Sequence, residues 1–181
     1  IMKTGIEKFK DAIDSETCDL LIKYLEDNLH DATDLSHNDV QNVIGKEILL
    51  RQNSELDTMI FKSIEMVINE YANIYYPFFR VHSDVGYQLR KITGYTRVHV
   101  DRNPDIEDRR NVSIILGLNS DYEKGEFHFP FQDYTTTLKR GEAIVFPVYF
   151  MYPHYVDEPI GNRYTINTCL LYTSDAADDS L

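Results

Sequence analysis

Two kinds of hydrophobic patterning divide the chain. From Asp14 to Leu29, "DSETCDLLIKYLEDNL", apolar positions at Leu20, Leu21, Tyr24 and Leu25 follow helical spacing, with Asp14 or Ser15 as the N-cap. A longer segment, Asn53 to Tyr76, sets Met59, Ile60, Ile64, Val67, Ile68 and Tyr71 on one helical face, and Pro77 closes it. The polar stretch "HDATDLSHNDVQN" between them is expected to be a loop. From Gly86 onward the pattern shifts to short β-rich runs bounded by turn residues. These runs are Tyr87 to Thr93, Arg97 to Val100, Asn111 to Leu118 and Gly125 to Phe129, then Tyr134 to Leu138, Glu142 to Val148, His154 to Val156 and Arg163 to Leu171.

Helices followed by short strands predict a mainly β fold with N-terminal helices. The expected form is a double-stranded β-helix, the jelly roll of cupin-like proteins, buttressed by two or more α-helices. We expect one domain over residues 1–170, with a helical buttress over 1–80 and a β-barrel core over 86–170. The last residues, 171–181, are small, acidic and without periodicity, so disorder is expected there. That tail resembles translated adapter sequence rather than native protein.

Composition narrows the function classes. The net charge of −12 repels phosphate and anionic lipid, which argues against nucleic-acid and membrane partners. Cys18 and Cys169 stand far apart, with no spacing suited to a zinc knuckle or a redox pair. The start lacks an apolar signal core, and the longest apolar run, Ala143 to Pro153, is far shorter than the ~20 residues of a spanning helix. A cytoplasmic setting is expected.

Six histidines compete as metal ligands: His30, His37, His82, His99, His128 and His154. In "TRVHVD" the period of a strand puts His99 and Asp101 on one side. Two histidines and one carboxylate on one face of a metal suit iron(II) and leave positions open for other ligands. The second histidine would come from a later strand. A rival pair, His82 and Asp84, precedes the barrel, and His128 has only Glu126 as a nearby partner. His-x-Asp alone is a weak motif and arises at plain strand exits.

The order of segments adds to the motif. "ITGYTRVHVD", "SIILGLNSDYEKGEF", "RGEAIVFP", "YPHYV" and "NRYT" succeed one another from Tyr87 to about Leu170. This succession resembles the iron(II)- and 2-oxoglutarate-dependent dioxygenases, in particular their prolyl 4-hydroxylase-like branch. The resemblance implies iron(II) held by His99, Asp101 and His154, 2-oxoglutarate as cosubstrate, O2, and ascorbate as a supporting reductant. It implies Arg163 on the distal carboxylate of 2-oxoglutarate, a task suited to a planar guanidinium fork, with Thr165 beside it. Either Tyr87 or Lys91 would stand where the family places a cosubstrate-binding tyrosine. Lys124 departs from the family's Gly-Gly-Glu pattern. The implied reaction hydroxylates a peptide or small-molecule substrate, a peptidyl proline by analogy, and releases succinate and CO2. A jelly-roll binding module without turnover, or a cupin-type metalloenzyme of other chemistry, remains the alternative. Both would dispense with Arg163 facing the cavity of His99.

Overall fold

Local capping starts both helices. The Asp14 carboxylate accepts the backbone N–H of Thr17 at 2.8 Å, and helix α1 runs Ser15–Asp27. The Ser54 hydroxyl accepts the N–H of Asp57 at 3.2 Å, and α2 runs Glu55–Tyr75. The computed structural model describes residues 3–36, 42–102 and 108–172. His37, the middle of the polar connector, most of the loop after Arg102 and the acidic tail beyond Tyr172 lie outside the described residues.

Strands make up most of the rest. In chain order they are β1 (Glu7–Phe9), β2 (Thr33–Leu35), β3 (Gly45–Leu49), β4 (Ser83–Asp84), β5 (Gln88–Ile92), β6 (Thr96–His99) and β7 (Arg110–Gly117). They continue as β8 (Glu123–Lys124), β9 (Phe127–Phe129), β10 (Tyr134–Thr136), β11 (Ala143–Pro147), β12 (His154–Val156), β13 (Pro159–Ile160) and β14 (Arg163–Leu171). The major sheet runs β1-β11-β7-β14-β5-β3-β2, with β4 also paired to β14. The minor sheet runs β10-β9-β12-β6, and β13 pairs with β8. All pairings are antiparallel. This is the double-sheet jelly-roll architecture expected from the strand pattern.

The N-terminal region is more than a helical buttress. It adds β1 to one edge of the major sheet and β2 and β3 to the other. The supposed loop thus contains β2, and "GKEIL" of β3 is a strand that mixed polarity conceals. Pairing explains it, because β3 lies against β5 with Glu47 opposite Arg90.

Strand alternation gives the major sheet two different faces. Leu89 of β5, Val112, Ile114 and Leu116 of β7, Val145 of β11 and Ile166 of β14 point toward the helices. There they meet Leu21 and Leu25 of α1 and Ile60, Ile64 and Val67 of α2 in one core. The opposite face meets the minor sheet through Ile115, Ile144 and Phe146, packed with Phe127, Phe129 and Val156. Beside that second, smaller core the sheets enclose a cavity. No helix among the described residues is long and apolar enough to cross a membrane.

Two substitutions probe this arrangement. Ile166 is wholly buried, so Ile166→Ala should cost about 2–5 kcal/mol in urea denaturation. Asp14→Ala should cost about 1 kcal/mol near neutral pH through loss of the cap. The Asp14 pKa lies below its ordinary 3.8, held down by the backbone N–H and hydroxyl of Thr17. A depressed carboxyl pKa stabilises above the unfolded-state value. The difference between wild type and Asp14→Ala should therefore shrink as pH falls from about 4 through the lower folded-state pKa.

Candidate metal centre and cosubstrate cavity

The pairing of β6 with β12 sets His99 directly opposite His154. Cross-strand neighbours lie close enough for side chains to meet, and the two imidazole centroids are 4.4 Å apart. Asp101 follows two residues after His99, on the same side of the chain. Ser113 of β7, in the facing sheet, donates its hydroxyl to Asp101 Oδ2. That bond leaves Oδ1 turned toward both rings, 3.0 Å from His99 Nε2 and 3.5 Å from His154 Nε2. All three ligand atoms lie within 4.8 Å of one another.

Backbone contacts orient the rings. His99 Nδ1 lies 2.7 Å from the carbonyl of Arg97, and His154 Nδ1 lies 3.2 Å from that of Tyr152. Each Nδ1–H donates to its carbonyl and leaves a lone pair on Nε2. Two imidazole lone pairs then converge on a carboxylate oxygen, which repels them unless a cation or proton lies between. The protonation preferences agree with this arrangement. Burial pushes the Asp101 carboxyl up, but the two imidazoles and the Ser113 hydroxyl outweigh it and hold the carboxyl well below its usual range. Burial keeps the His154 pKa low, so this ring is neutral. Burial opposes protonation of His99, but the Asp101 carboxylate 3.0 Å from its Nε2 raises its pKa on balance, as expected of a ring nitrogen that needs a proton or a cation in front of that oxygen. Neutral imidazole and ionised carboxylate are the donor forms that suit iron(II). His154 is fixed further by Phe146, edge-on at 4.7 Å, and Phe129 at 5.4 Å.

The cavity extends from this trio for about 630 Å³ between the sheets. Arg163, Thr165, Asn167 and Cys169 line it along alternate positions of β14. Arg163 is 4% exposed, and its Nε and Nη1 have no hydrogen-bond partner among the described residues. Its guanidinium sits 5.0 Å from the ring centre of Phe127. Burial lowers its pKa to about 10, which still leaves it charged at neutral pH. A buried cation without an anion carries a desolvation cost of several kcal/mol. An arriving carboxylate removes the imbalance by pairing with the fork. Thr165 lies on the same face and donates to Asn167 Oδ1 at 2.7 Å. One end of the cavity thus attracts a cation and the other an anion, which fits a metal-chelating dicarboxylate.

Two other expected contacts lie elsewhere. On β5 the residues opposite Arg163, Thr165 and Asn167 are Ile92, Arg90 and Gln88, and these three line the cavity. Tyr87 and Lys91 therefore point to the helical side. Tyr87 donates its hydroxyl to Asp84 Oδ2 at 2.7 Å, and Lys91 pairs with Glu26 of α1 at 2.8 Å. This corrects their placement by one residue of strand parity. The residues that the motif order passes over are Ser113, which holds Asp101, and Arg90.

Among the described residues, the rival histidines His30, His82 and His128 are not drawn into the centre. His82 and Asp84 border a separate groove near α2, where Asp84 also accepts the N–H of Gly86 at 2.9 Å. His128 pairs with Asp157 at 2.7 Å and stacks on Tyr155, and His30 is exposed beside Asp31. Arg110 lines the cavity but pairs with Asp108, so it is less solvated than a surface arginine. Lys124, where the family pattern has glycine, adopts a left-handed φ of 59° and Gly125 follows at 78°. That backbone explains why glycine suits the first position too.

Comparison with known proteins agrees with the geometry. Residues 72–170 match the model of the 2OG-Fe(II) oxygenase superfamily. The chain belongs to this superfamily. It is a 2-oxoglutarate-dependent dioxygenase with iron(II) and 2-oxoglutarate as its cofactor and cosubstrate. No curated protein matches it significantly in sequence. Its fold is similar to that of a viral collagen prolyl hydroxylase from Paramecium Bursaria Chlorella virus-1 in complex with 2OG. That similarity has a TM-score of 0.74 at 16% identity and covers 94% of this chain and 97% of the other. A Pseudomonas putida prolyl-4-hydroxylase is similar with a TM-score of 0.76 at 15% identity, covering 93% of each chain. A Trichoplax adhaerens prolyl hydroxylase, solved with a hypoxia inducible factor peptide fragment, has a TM-score of 0.72 at 12% identity. That match covers 93% of this chain and 84% of the other.

The strand parity is directly testable. Tyr87→Phe and Lys91→Met should leave 2-oxoglutarate affinity unchanged in a binding titration. Tyr87→Phe should also lower stability by about 1 kcal/mol, through loss of the bond to Asp84.

Proposed function

We propose that the protein hydroxylates an unactivated C–H bond in a peptide side chain, with a peptidyl proline as the first candidate. His99, Asp101 and His154 would hold iron(II) on one face and leave the remaining positions open to the cavity. Arg163, with Thr165 beside it, would take the distal carboxylate of 2-oxoglutarate. The observation that carries this reading is the placement, in one cavity, of the cation-seeking trio and of an Arg163 guanidinium whose Nε and Nη1 have no partner among the described residues. A binding module without turnover gives no reason to bury that guanidinium opposite two histidines and an aspartate.

When bound, the metal couples oxidation of 2-oxoglutarate by O2, to succinate and CO2, with transfer of one oxygen atom to substrate. The chain's own part is orientation. Ser113 fixes one oxygen of Asp101, the carbonyls of Arg97 and Tyr152 fix the ring tautomers, and Phe129 and Phe146 hold His154 in an apolar wall. Ascorbate would serve as reductant for turnovers in which substrate escapes oxidation. The prolyl assignment rests on the order of the sequence motifs. A further support is that a protein of similar fold is a prolyl hydroxylase bound to a peptide fragment.

Anaerobic addition of iron(II) and 2-oxoglutarate should produce a visible metal-to-ligand charge-transfer band. The band should vanish in His99→Ala and weaken in Arg163→Ala, and its absence from folded wild type would overturn the oxygenase site. Ser113→Ala should weaken iron(II) binding about 10–100-fold, as is usual when a metal ligand loses its outer hydrogen bond. Proline-containing peptides should raise succinate release above the substrate-free rate. A lack of stimulation in iron-loaded protein would refute the prolyl assignment and leave the oxygenase reading intact.

A further inference from the structure

The residues just before β1 reach the metal centre through Tyr152. His154 takes its ring orientation from the Tyr152 carbonyl, 3.2 Å from Nδ1, the longer of the two ring-orienting contacts. A hydrogen bond at that length holds only as well as its acceptor is placed. The acceptor belongs to the turn between β11 and β12, where the Tyr152 N–H donates to the carbonyl of Tyr149 at 2.9 Å. Packing does little to hold this turn, since Phe150 is 77% and Met151 48% exposed. Two hydrogen bonds fasten it from outside. Gln132 donates its amide to the Met151 carbonyl at 2.8 Å, and the Tyr152 phenol donates to the Thr4 carbonyl at 2.9 Å.

The Thr4 end is shaped to receive the phenol. Gly5 has a left-handed φ of 82°, and a Cβ there would lie 2.6 Å from the Tyr152 hydroxyl oxygen and 3.2 Å from Pro147 Cγ. Tyr71 donates its hydroxyl to the Gly5 carbonyl at 2.8 Å, and the Gly5 N–H donates to the Tyr75 hydroxyl at 3.0 Å. Ile6 is buried in the smaller core with Phe129 and Phe146, the two rings that flank His154. Residues 4–6 therefore form a strap from the end of α2 to the turn that orients His154. Resting on the metal-site reading above, we propose that this strap is a positioning element of the metal centre, with Tyr152 as the positioning residue through which it acts on His154. A released phenol frees the Tyr152 carbonyl to drift from Nδ1. The ring then loses its preference for the tautomer that leaves a lone pair on Nε2. The coupling is reciprocal, so a metal that needs the ring fixed must also hold the strap down. The competing explanation is structural, with the strap closing only the small core and the edge of the major sheet.

Metal titrations of the intact chain separate the two. Iron(II) affinity is measured anaerobically by competition with a chelator. Cobalt(II), whose visible absorption reports its ligand geometry, is the second probe. Tyr152→Phe keeps the ring in the small core and removes only the hydroxyl, whereas Gly5→Ala sets a methyl group against it. Both should raise the iron(II) dissociation constant about tenfold, the low end of the loss for an outer partner of a metal ligand, and both should alter the cobalt(II) spectrum. Asp14→Ala, destabilised at the distant α1 cap, should bind both metals as wild type does. Metal should also slow hydrogen exchange at the Gly5 amide in wild type, and less so in Tyr152→Phe. Unchanged affinity and spectrum in Tyr152→Phe would overturn the proposal, even where Gly5→Ala folds poorly. So would a loss in Asp14→Ala equal to that in Tyr152→Phe, which is the structural outcome, or a wild-type Gly5 amide that exchanges at the same rate with and without metal. A wild type that binds neither metal would sink the metal-site reading itself, and the role of the strap with it.

Discussion

Strand alternation on β14 is the constraint from which the site follows. Successive residues of this central strand must face opposite sides of the major sheet. One side is committed to the helical core through Tyr164, Ile166 and Leu170, and that burial holds the sheet against α1 and α2. The other side is thereby left to Arg163, Thr165, Asn167 and Cys169, in the space before the minor sheet. Because β5 and β7 pair with β14 in register, the same parity propagates outward. It brings Arg90 opposite Thr165 and Ser113 opposite Cys169. A one-residue slip would bury Arg163 and Arg90 among leucines and isoleucines, which the desolvation of two guanidinium groups forbids. The fold's register and the cavity's chemistry are therefore specified together.

The two ends of the cavity are both incomplete as they stand, in opposite senses. At the metal end, imidazole lone pairs meet a carboxylate. At the other end a guanidinium lies buried with two nitrogen atoms unpartnered. Neither arrangement stabilises the protein by itself. Each is maintained by surrounding structure: Ser113 and backbone carbonyls at one end, Phe127 and the start of β14 at the other. Polar groups held in such positions cost stability that a pure hydrophobic core would not. The return is a site whose donors need little rearrangement when ligand binds.

Much of this was legible in the chain, but unevenly. All eight of the expected β-rich runs contain strands, because glycine turns and alternating apolar residues mark them locally. His99, Asp101, His154 and Arg163 stood out because strand order and spacing accompany them. Ser113 carried no such mark. It is a small hydroxyl within an apolar run, and its meaning depends on a strand pairing that puts it against Asp101. Tyr87 and Lys91 were misplaced because a motif locates a strand more reliably than its parity, and one residue separates Lys91 from Arg90. β3 escaped notice for a related reason. Its lysine and glutamate look like loop residues until Lys46 is set beside Asp34 and Glu47 beside Arg90.

Charge distribution links these local features to the whole molecule. The chain carries 30 acidic residues against 18 lysines and arginines. Yet among the described residues the cavity walls carry Arg90, Arg102, Arg110 and Arg163 against the single carboxylate of Asp101. Two of these arginines are balanced from outside the lining, Arg90 by Glu47 and Arg110 by Asp108. Arg102 lies over the ring of Tyr149 at 5.4 Å, beside Asp101. An acidic exterior alone would repel a dianionic cosubstrate. A cavity of inverted sign, with low-dielectric walls, focuses the attractive field at its mouth. The acidic surface seen in composition therefore says little about what enters. Screening acts on charges at the exterior far more than on those enclosed by the two sheets. The field inside the cavity is accordingly set by Arg163 and its neighbours, whatever the net charge of the chain.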